Sequence, residues 1–190
     1  HFDSSNLEDI RSSLNIDSSE LDKITIITVF NVESTSYVGI WGQDDGGWDR
    51  FLLFNHPQGS GLSNGIGINN IPNLTNNVNQ GLMIAQSYYE EDATNGSYLY
   101  LDGRLTTNFT SNNNSGFSDF IIGSINKGDS WMHEGEIAEI LVFDRELNQA
   151  ERHEISYYLS KKWNLTSNVD SDGDDSIDLS DPNPTGLLVE

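Results

Sequence analysis

The chain has 190 residues, with 30 acidic and nine basic side chains, a formal net charge of -21 at pH 7, no cysteine and 35% hydrophobic residues. That length and apolar content suit one domain with a sizeable core. The charge argues against a phosphate backbone or anionic lipid as partner, the missing cysteines exclude disulfides and thiolate metal sites, and the lack of any run of about 18 apolar residues argues against a membrane-spanning helix.

No leader is visible, and the chain reads as a piece of something longer. Residues 1–22 are polar, with a short helix expected around Leu7 to Leu14. Ile24 to Val32 is β-branched and aromatic, with apolar side chains on both faces, as in a strand inside a sandwich. Ser36 to Trp41 and Arg50 to Asn55 are the next expected strands, joined by the acidic linker Gln43 to Asp49. Gly59 to Gln80 reads as turns around one short strand near Ile66 to Ile68. Gly61-Leu62-Ser63-Asn64-Gly65 matches G-x-S-x-G, but no strand-to-helix turn surrounds it, so it is expected to be a turn rather than a nucleophile elbow.

Leu82 to Tyr89 and Ser97 to Leu101 are expected strands, followed by the hairpin turn Asp102-Gly103 and a return strand from Arg104 to Phe109. Phe117 to Ile125 and Gly135 to Phe143 complete the set. Short strands separated by Gly/Asn/Asp turns predict an all-β fold, a two-sheet antiparallel jelly-roll sandwich. One C-terminal helix docks on it, from Asn148 to Trp163. Asn148 is the expected N-cap, with Glu151 completing a capping box. Ile155, Leu159 and Trp163 form an apolar stripe with Tyr158 beside it, and Lys161 and Lys162 suit the last turn. Composition then shifts to Asp, Ser and Asn. The expected boundary at about residue 166 divides a sandwich domain, 1–166, from an acidic linker, 167–190.

The run Gly135 to Leu165, GEIAEILVFDRELNQAERHEISYYLSKKWNL, resembles the C-terminal signature of laminin-G-like (concanavalin A-like lectin/glucanase) jelly rolls of bacterial secreted proteins. Leu99 to Arg104 is similar to that family's hairpin. The resemblance implies two packed antiparallel sheets and a sugar or protein ligand, often with calcium, within a larger cell-surface protein. It fixes no ligand.

The stretch Asp170 to Pro182 packs six aspartates into thirteen residues. It resembles a thrombospondin type 3-like calcium repeat, with a displaced proline. Calcium takes six to eight oxygens at about 2.3–2.6 Å, and alternate aspartates curled by Gly173 can supply them. The expected ligands are Asp170, Asp172, Asp174, Asp178 and Asp181, with Ca2+ as the cofactor. A solvated acidic linker is the alternative.

Glu134, Glu136 and Glu139 have the spacing of the E-x-D-x-x-E strand of laminarinase-type glycosidases, whose two-carboxylate chemistry needs such a set. The central residue is Glu rather than Asp. The Gly-x-Ile-Ala-Glu frame is also that of the non-catalytic domains, in which Glu139 is a structural partner near the helix. Binding is therefore favoured over catalysis, with a β-glucan-cleaving hydrolase as the alternative. Loops mixing aromatics and carboxylates suit a sugar's apolar face and hydroxyls. The candidate ligand contacts are Asp44, Asp45, Trp48 and Asp49, then Glu91, Asp92, Trp131 and His133. The sequence thus predicts a calcium-dependent, monomeric recognition module of a large extracellular or bacterial surface adhesin. Its expected partner is a glycan or cell-surface polysaccharide, with a protein or peptide ligand or a spacer role as alternatives.

Overall fold

The computed structural model describes residues 1–3, 9–15, 21–34, 36–44, 52–56, 61–65, 81–91, 93–110, 119–126 and 131–186. In chain order the strands are β1 (Ile10–Asn15), β2 (Lys23–Phe30), β3 (Val38–Gly42), β4 (Leu52–His56), β5 (Gly61–Gly65), β6 (Met83–Glu90), β7 (Ser97–Leu101), β8 (Arg104–Phe109), β9 (Asp119–Ile122) and β10 (Ile137–Phe143). The one helix among the described residues, α1 (Gln149–Lys162), follows. The strands form two five-stranded sheets, β1-β9-β3-β4-β5 and β10-β2-β6-β7-β8. Every strand pair is antiparallel, so the fold is the expected all-β sandwich with a C-terminal helix.

The period of two along β2 explains its place inside the sheet, between β10 and β6. Ile24, Ile26 and Phe30 enter the core between the sheets with Trp41, Leu53, Tyr89, Leu99 and Phe120. Ile27 and Val29 face the other way and meet Ile84, Leu147, Leu159, Leu165 and Val169. Alternate side chains of a strand point to opposite faces, so β2 is apolar on both because both faces are covered. Each fully buried aliphatic side chain here contributes about 2 kcal/mol. Trp41 Nε1 donates to Thr28 Oγ1 at 2.8 Å, which satisfies the one polar atom of the largest core side chain.

The second, outer cluster is what α1 closes. Asn148 Oδ1 accepts from Glu151 N at 3.0 Å, and Glu151 Oε2 accepts from Asn148 N at 2.9 Å, forming the expected capping box. Arg145 and the Asn148 N–H together hold the Glu151 carboxyl down at about 2. The stripe Ile155, Leu159 and Trp163 packs into the cluster. Ser156 and Ser160 share that buried face, whereas Tyr158, expected beside the stripe, is 56% exposed. A hundred degrees per residue places position 158 away from the face defined by 155, 159 and 163. The Arg152 guanidinium stacks over the rings of Tyr98 and Tyr100, which ties the helix to β7.

Two segments differ from expectation. Residues 10–15 form an edge strand on β9 rather than the end of a helix, because a ladder with Phe120, Ile121 and Ile122 overrides weak local propensity. Residues 61–65 are β5, an edge strand on β4, rather than a turn. The short strand expected near Ile66 to Ile68 lies outside the described residues.

Residues 166–186 fold back onto the sandwich. Val169 is fully buried beside Leu159, and Asp170 N donates to Asp102 O in the β7–β8 turn at 3.1 Å. Asp102 and Gly103 occupy that turn with φ of 49° and 86°. A Cβ on Gly103 would stand 1.7 Å from Asp170 O, so only glycine lets the tail approach.

Candidate functional site

The tail is organised by two aspartates acting as backbone acceptors. Asp170 is fully buried. Its carboxylate accepts from Gly173 N at 2.8 Å, Asp175 N at 2.9 Å and Arg104 Nε at 3.2 Å. Asp178 is 5% exposed. It accepts from Ser171 N and Ser171 Oγ, both at 2.8 Å, and from Ser160 Oγ on α1 through a short hydrogen bond. Short polar side chains that bond to nearby backbone are what curl this segment.

Among the five aspartates expected to bind metal, Asp170, Asp172 and Asp174 converge, each offering an oxygen within 4.8 Å of the others. Asp178 is turned away into the two serines. Asp181 Oδ1 accepts from Asn183 N at 2.7 Å, while its Oδ2 is buried with no hydrogen-bond partner. Burial pushes the Asp172 carboxyl up, and the charges of Asp174, Asp181 and Asp170 add to the rise. Three neighbouring carboxylates thus act on Asp172, and one of them, Asp181, carries a buried oxygen without a donor. This donor set fits a hard divalent cation, which takes carboxylate oxygens in a flexible loop.

Of the eight candidate ligand contacts, the four described ones lie in two places. Asp45, Trp48, Asp49 and Asp92 lie outside the described residues. Trp131 and His133 lie where β2 ends and β3 begins. There Gly39 N donates to Trp131 O at 2.6 Å and Glu33 N donates to Glu134 O at 2.9 Å. Asp44 and Glu91 lie towards the opposite end, where Glu91 N meets Asp22 O just ahead of β2. From Gly39 to Asp44 an extended chain covers roughly 16 Å. Asp44 is 6% exposed and bridges to Asn126.

Trp131 has φ of 64°, uncommon for a bulky residue, and its ring stacks on Tyr37 at 4.9 Å between centroids. His133 is fully buried in the seam between the sheets, with Phe2 edge-on at 5.8 Å. Burial lowers its pKa to about 4. The nearby backbones of Glu136 and Asn31 oppose that shift, but neither makes a hydrogen bond of normal geometry with the ring nitrogens.

Glu136, just before β10, and Glu139 within it are separated in the same way. A register irregularity between Ile137 and Glu139 lets Ile137 face the inter-sheet core and Ala138 the outer cluster. Glu139 joins the helix side. Its Oε2 accepts from Trp163 Nε1 at 2.9 Å and its Oε1 from Lys162 Nζ at 3.0 Å. Burial works to raise this carboxyl, but these two donors outweigh it and hold it below the usual range. Glu139 thus ties β10 to the end of α1. Glu136 is exposed at the strand's start, its N–H given to Asn31 Oδ1 at 2.6 Å.

Sequence reasoning did not single out one further feature. On the outer side of α1, an open groove of about 500 Å³ is lined by Glu154, Tyr157, Tyr158, Lys161, Lys162 and Thr185. The two tyrosines and two lysines at i, i+1, i+4 and i+5 in Tyr157-Tyr158-Leu159-Ser160-Lys161-Lys162 were the available signal.

No family model matches the chain, and no curated relative is significantly similar to it. Similarity to solved structures is confined to the fold. A Trypanosoma rangeli sialidase in complex with a difluorinated nononic acid superimposes with a TM-score of 0.56 at 13% identity, over 74% of this chain and 23% of that one. A putative carbohydrate-binding protein from Bacteroides ovatus gives 0.52 at 18% identity, over 69% and 40%. The binding domain of Botulinum Neurotoxin DC, in complex with SialylT, gives 0.51 at 10% identity, over 80% and 40%. The chain thus spans about a quarter of the sialidase and two fifths of the other two. What these structures share with the chain is the fold alone, an antiparallel two-sheet sandwich.

Proposed function

We propose that this chain is a non-catalytic carbohydrate-recognition module whose C-terminal tail is held by a divalent cation, calcium by its chemistry. The observation that carries this is the convergence of Asp170, Asp172 and Asp174 within 4.8 Å in a tail packed against the sandwich. Asp181, whose charge acts on Asp172, adds a buried oxygen that has no hydrogen-bond partner. In a chain of formal charge -21, a cation there offsets repulsion that otherwise opposes the docked tail.

Recognition rather than catalysis is supported by Glu139, whose carboxylate is engaged by Trp163 and Lys162. A sugar ligand is supported by the neighbours, one named as a putative carbohydrate-binding protein and one as a binding domain in complex with SialylT. In this reading the module belongs to a larger extracellular protein, such as a bacterial surface adhesin, with a thrombospondin type 3-like repeat beginning at Asp170. The experiment is a glycan array probed with calcium and again with chelator. Binding that requires calcium is the expected result. Silence under both conditions refutes glycan recognition.

A further inference from the structure

The groove on the outer face of α1 differs in character from the rest of the chain. Two of only nine basic residues meet there, in a protein with 30 acidic ones. Lys162 is committed, its ammonium 2.9 Å from Glu139 Oε2 and 5.6 Å from the Tyr158 ring centroid. Lys161 is not. Its ammonium lies 5.2 Å from the Tyr157 ring centroid and has no ion pair or hydrogen bond among the described residues. Tyr158, 56% exposed, leaves a large flat ring in water beside it.

We propose that this groove is the saccharide site and that it takes a sugar bearing a carboxylate. The proposal rests on the carbohydrate-recognition reading above and names its site and substrate class. A pyranose has an apolar C–H face that packs on aromatic rings, which Tyr157 and Tyr158 supply. Its hydroxyls are donors and acceptors suited to the Glu154 carboxylate and the Thr185 hydroxyl at the groove's edge. An anion approaching a chain this acidic is repelled unless a local cation receives it, and the uncommitted Lys161 is that cation. A neutral sugar would leave Lys161 unused.

The groove is also coupled to the acidic cluster. Its Thr185 wall is held by the His153 ring, whose Nδ1 donates to Thr185 O at 3.0 Å. The next residue, Gly186, lies against Asp172, since a Cβ there would be 3.0 Å from Asp172 Oδ2. A cation drawing Asp170, Asp172 and Asp174 together therefore fixes the wall of a groove it does not touch. Calcium and the acidic sugar would each strengthen binding of the other.

The test is calorimetric titration of the full chain with trigalacturonate and sialyllactose, against maltotriose, lactose and hexaglutamate. Acidic saccharides are expected to bind, and more tightly with calcium. Lys161→Ala and Tyr158→Ala should each weaken that binding about tenfold or more without changing the melting temperature, and Lys161→Arg should retain it. Asp172→Asn should remove the calcium enhancement. Unchanged affinity in both alanine variants overturns this site while leaving glycan recognition intact. Hexaglutamate binding as tightly as the saccharides overturns the sugar assignment. A chain that binds no array glycan at all refutes the parent reading with it.

Discussion

Replacing Gly103 by alanine should undo the contact between the β7–β8 turn and the acidic tail. The residue has φ of 86°, which costs an L-residue about 1–2 kcal/mol on its own. Its new Cβ would also fall 1.7 Å from Asp170 O, a backbone atom that cannot rotate away, adding about 1–3 kcal/mol of overpacking or forcing the tail off. Gly81 separates the two effects. Its φ is 79°, but nothing among the described residues lies within 4 Å of a Cβ there, so Gly81→Ala carries the dihedral cost alone. For a chain of this size, about 1 kcal/mol moves the midpoint by roughly 2–4 °C. Melting followed by circular dichroism should therefore fall by roughly 4 °C for Gly81→Ala and roughly 10 °C for Gly103→Ala. If the tail lifts off instead of the domain unfolding, limited proteolysis should cut Gly103→Ala between residues 166 and 186 and spare the parent. Equal midpoints for the two variants, with no new cleavage, would refute the claim that the tail is seated on this turn.

Three further outcomes follow from particular side chains. His133 is held neutral by burial, so between its ordinary 6.5 and about 4 the unfolded chain binds a proton that the folded one does not. Its stabilising neutral state is fully favoured above 6.5, and about 3 kcal/mol is lost as pH falls through 4; urea titrations across this range should show that slope, flattened in His133→Asn. Asp178→Ala leaves Ser171 N and Ser171 Oγ without their acceptor in a buried setting, while Ser160 Oγ keeps Tyr157 O, and should cost about 3 kcal/mol by urea unfolding, with Asp178→Asn costing less. Trp163→Phe removes one donor from Glu139 but keeps Lys162, so a loss of about 1–2 kcal/mol is expected, and no loss would mean that Glu139 does not tie α1 to β10.

The sequence carried the parts whose cause is local. The two-faced apolar pattern of Ile24 to Phe30 announced a strand inside the sandwich. Asp102-Gly103 announced its turn, and Asn148 with Glu151 announced the start of α1. Glu139 as a structural partner near the helix was legible from its frame, and it bonds to Trp163. What depends on distant pairing was not legible. Nothing near Asp44 or Trp131 says that β3 carries one away from the other, because strand order joins residues far apart in sequence. The segment at Ile10 became a strand because β9 offered it an edge. Asp178 has the same side chain as its neighbours, but Ser160, eighteen residues earlier and on α1, draws it out of the carboxylate cluster. The exposed Tyr158 follows from which helix face the sheet covers, and only the packed outer cluster decides that.

The most direct test of the account is a calcium titration of chelator-treated protein, read as melting temperature at matched ionic strength. A cation held by Asp170, Asp172 and Asp174 should raise the midpoint saturably, and Asp172→Asn with Asp174→Asn should abolish the rise. A midpoint that ignores calcium, or moves equally in the double variant, would contradict a metal-held tail.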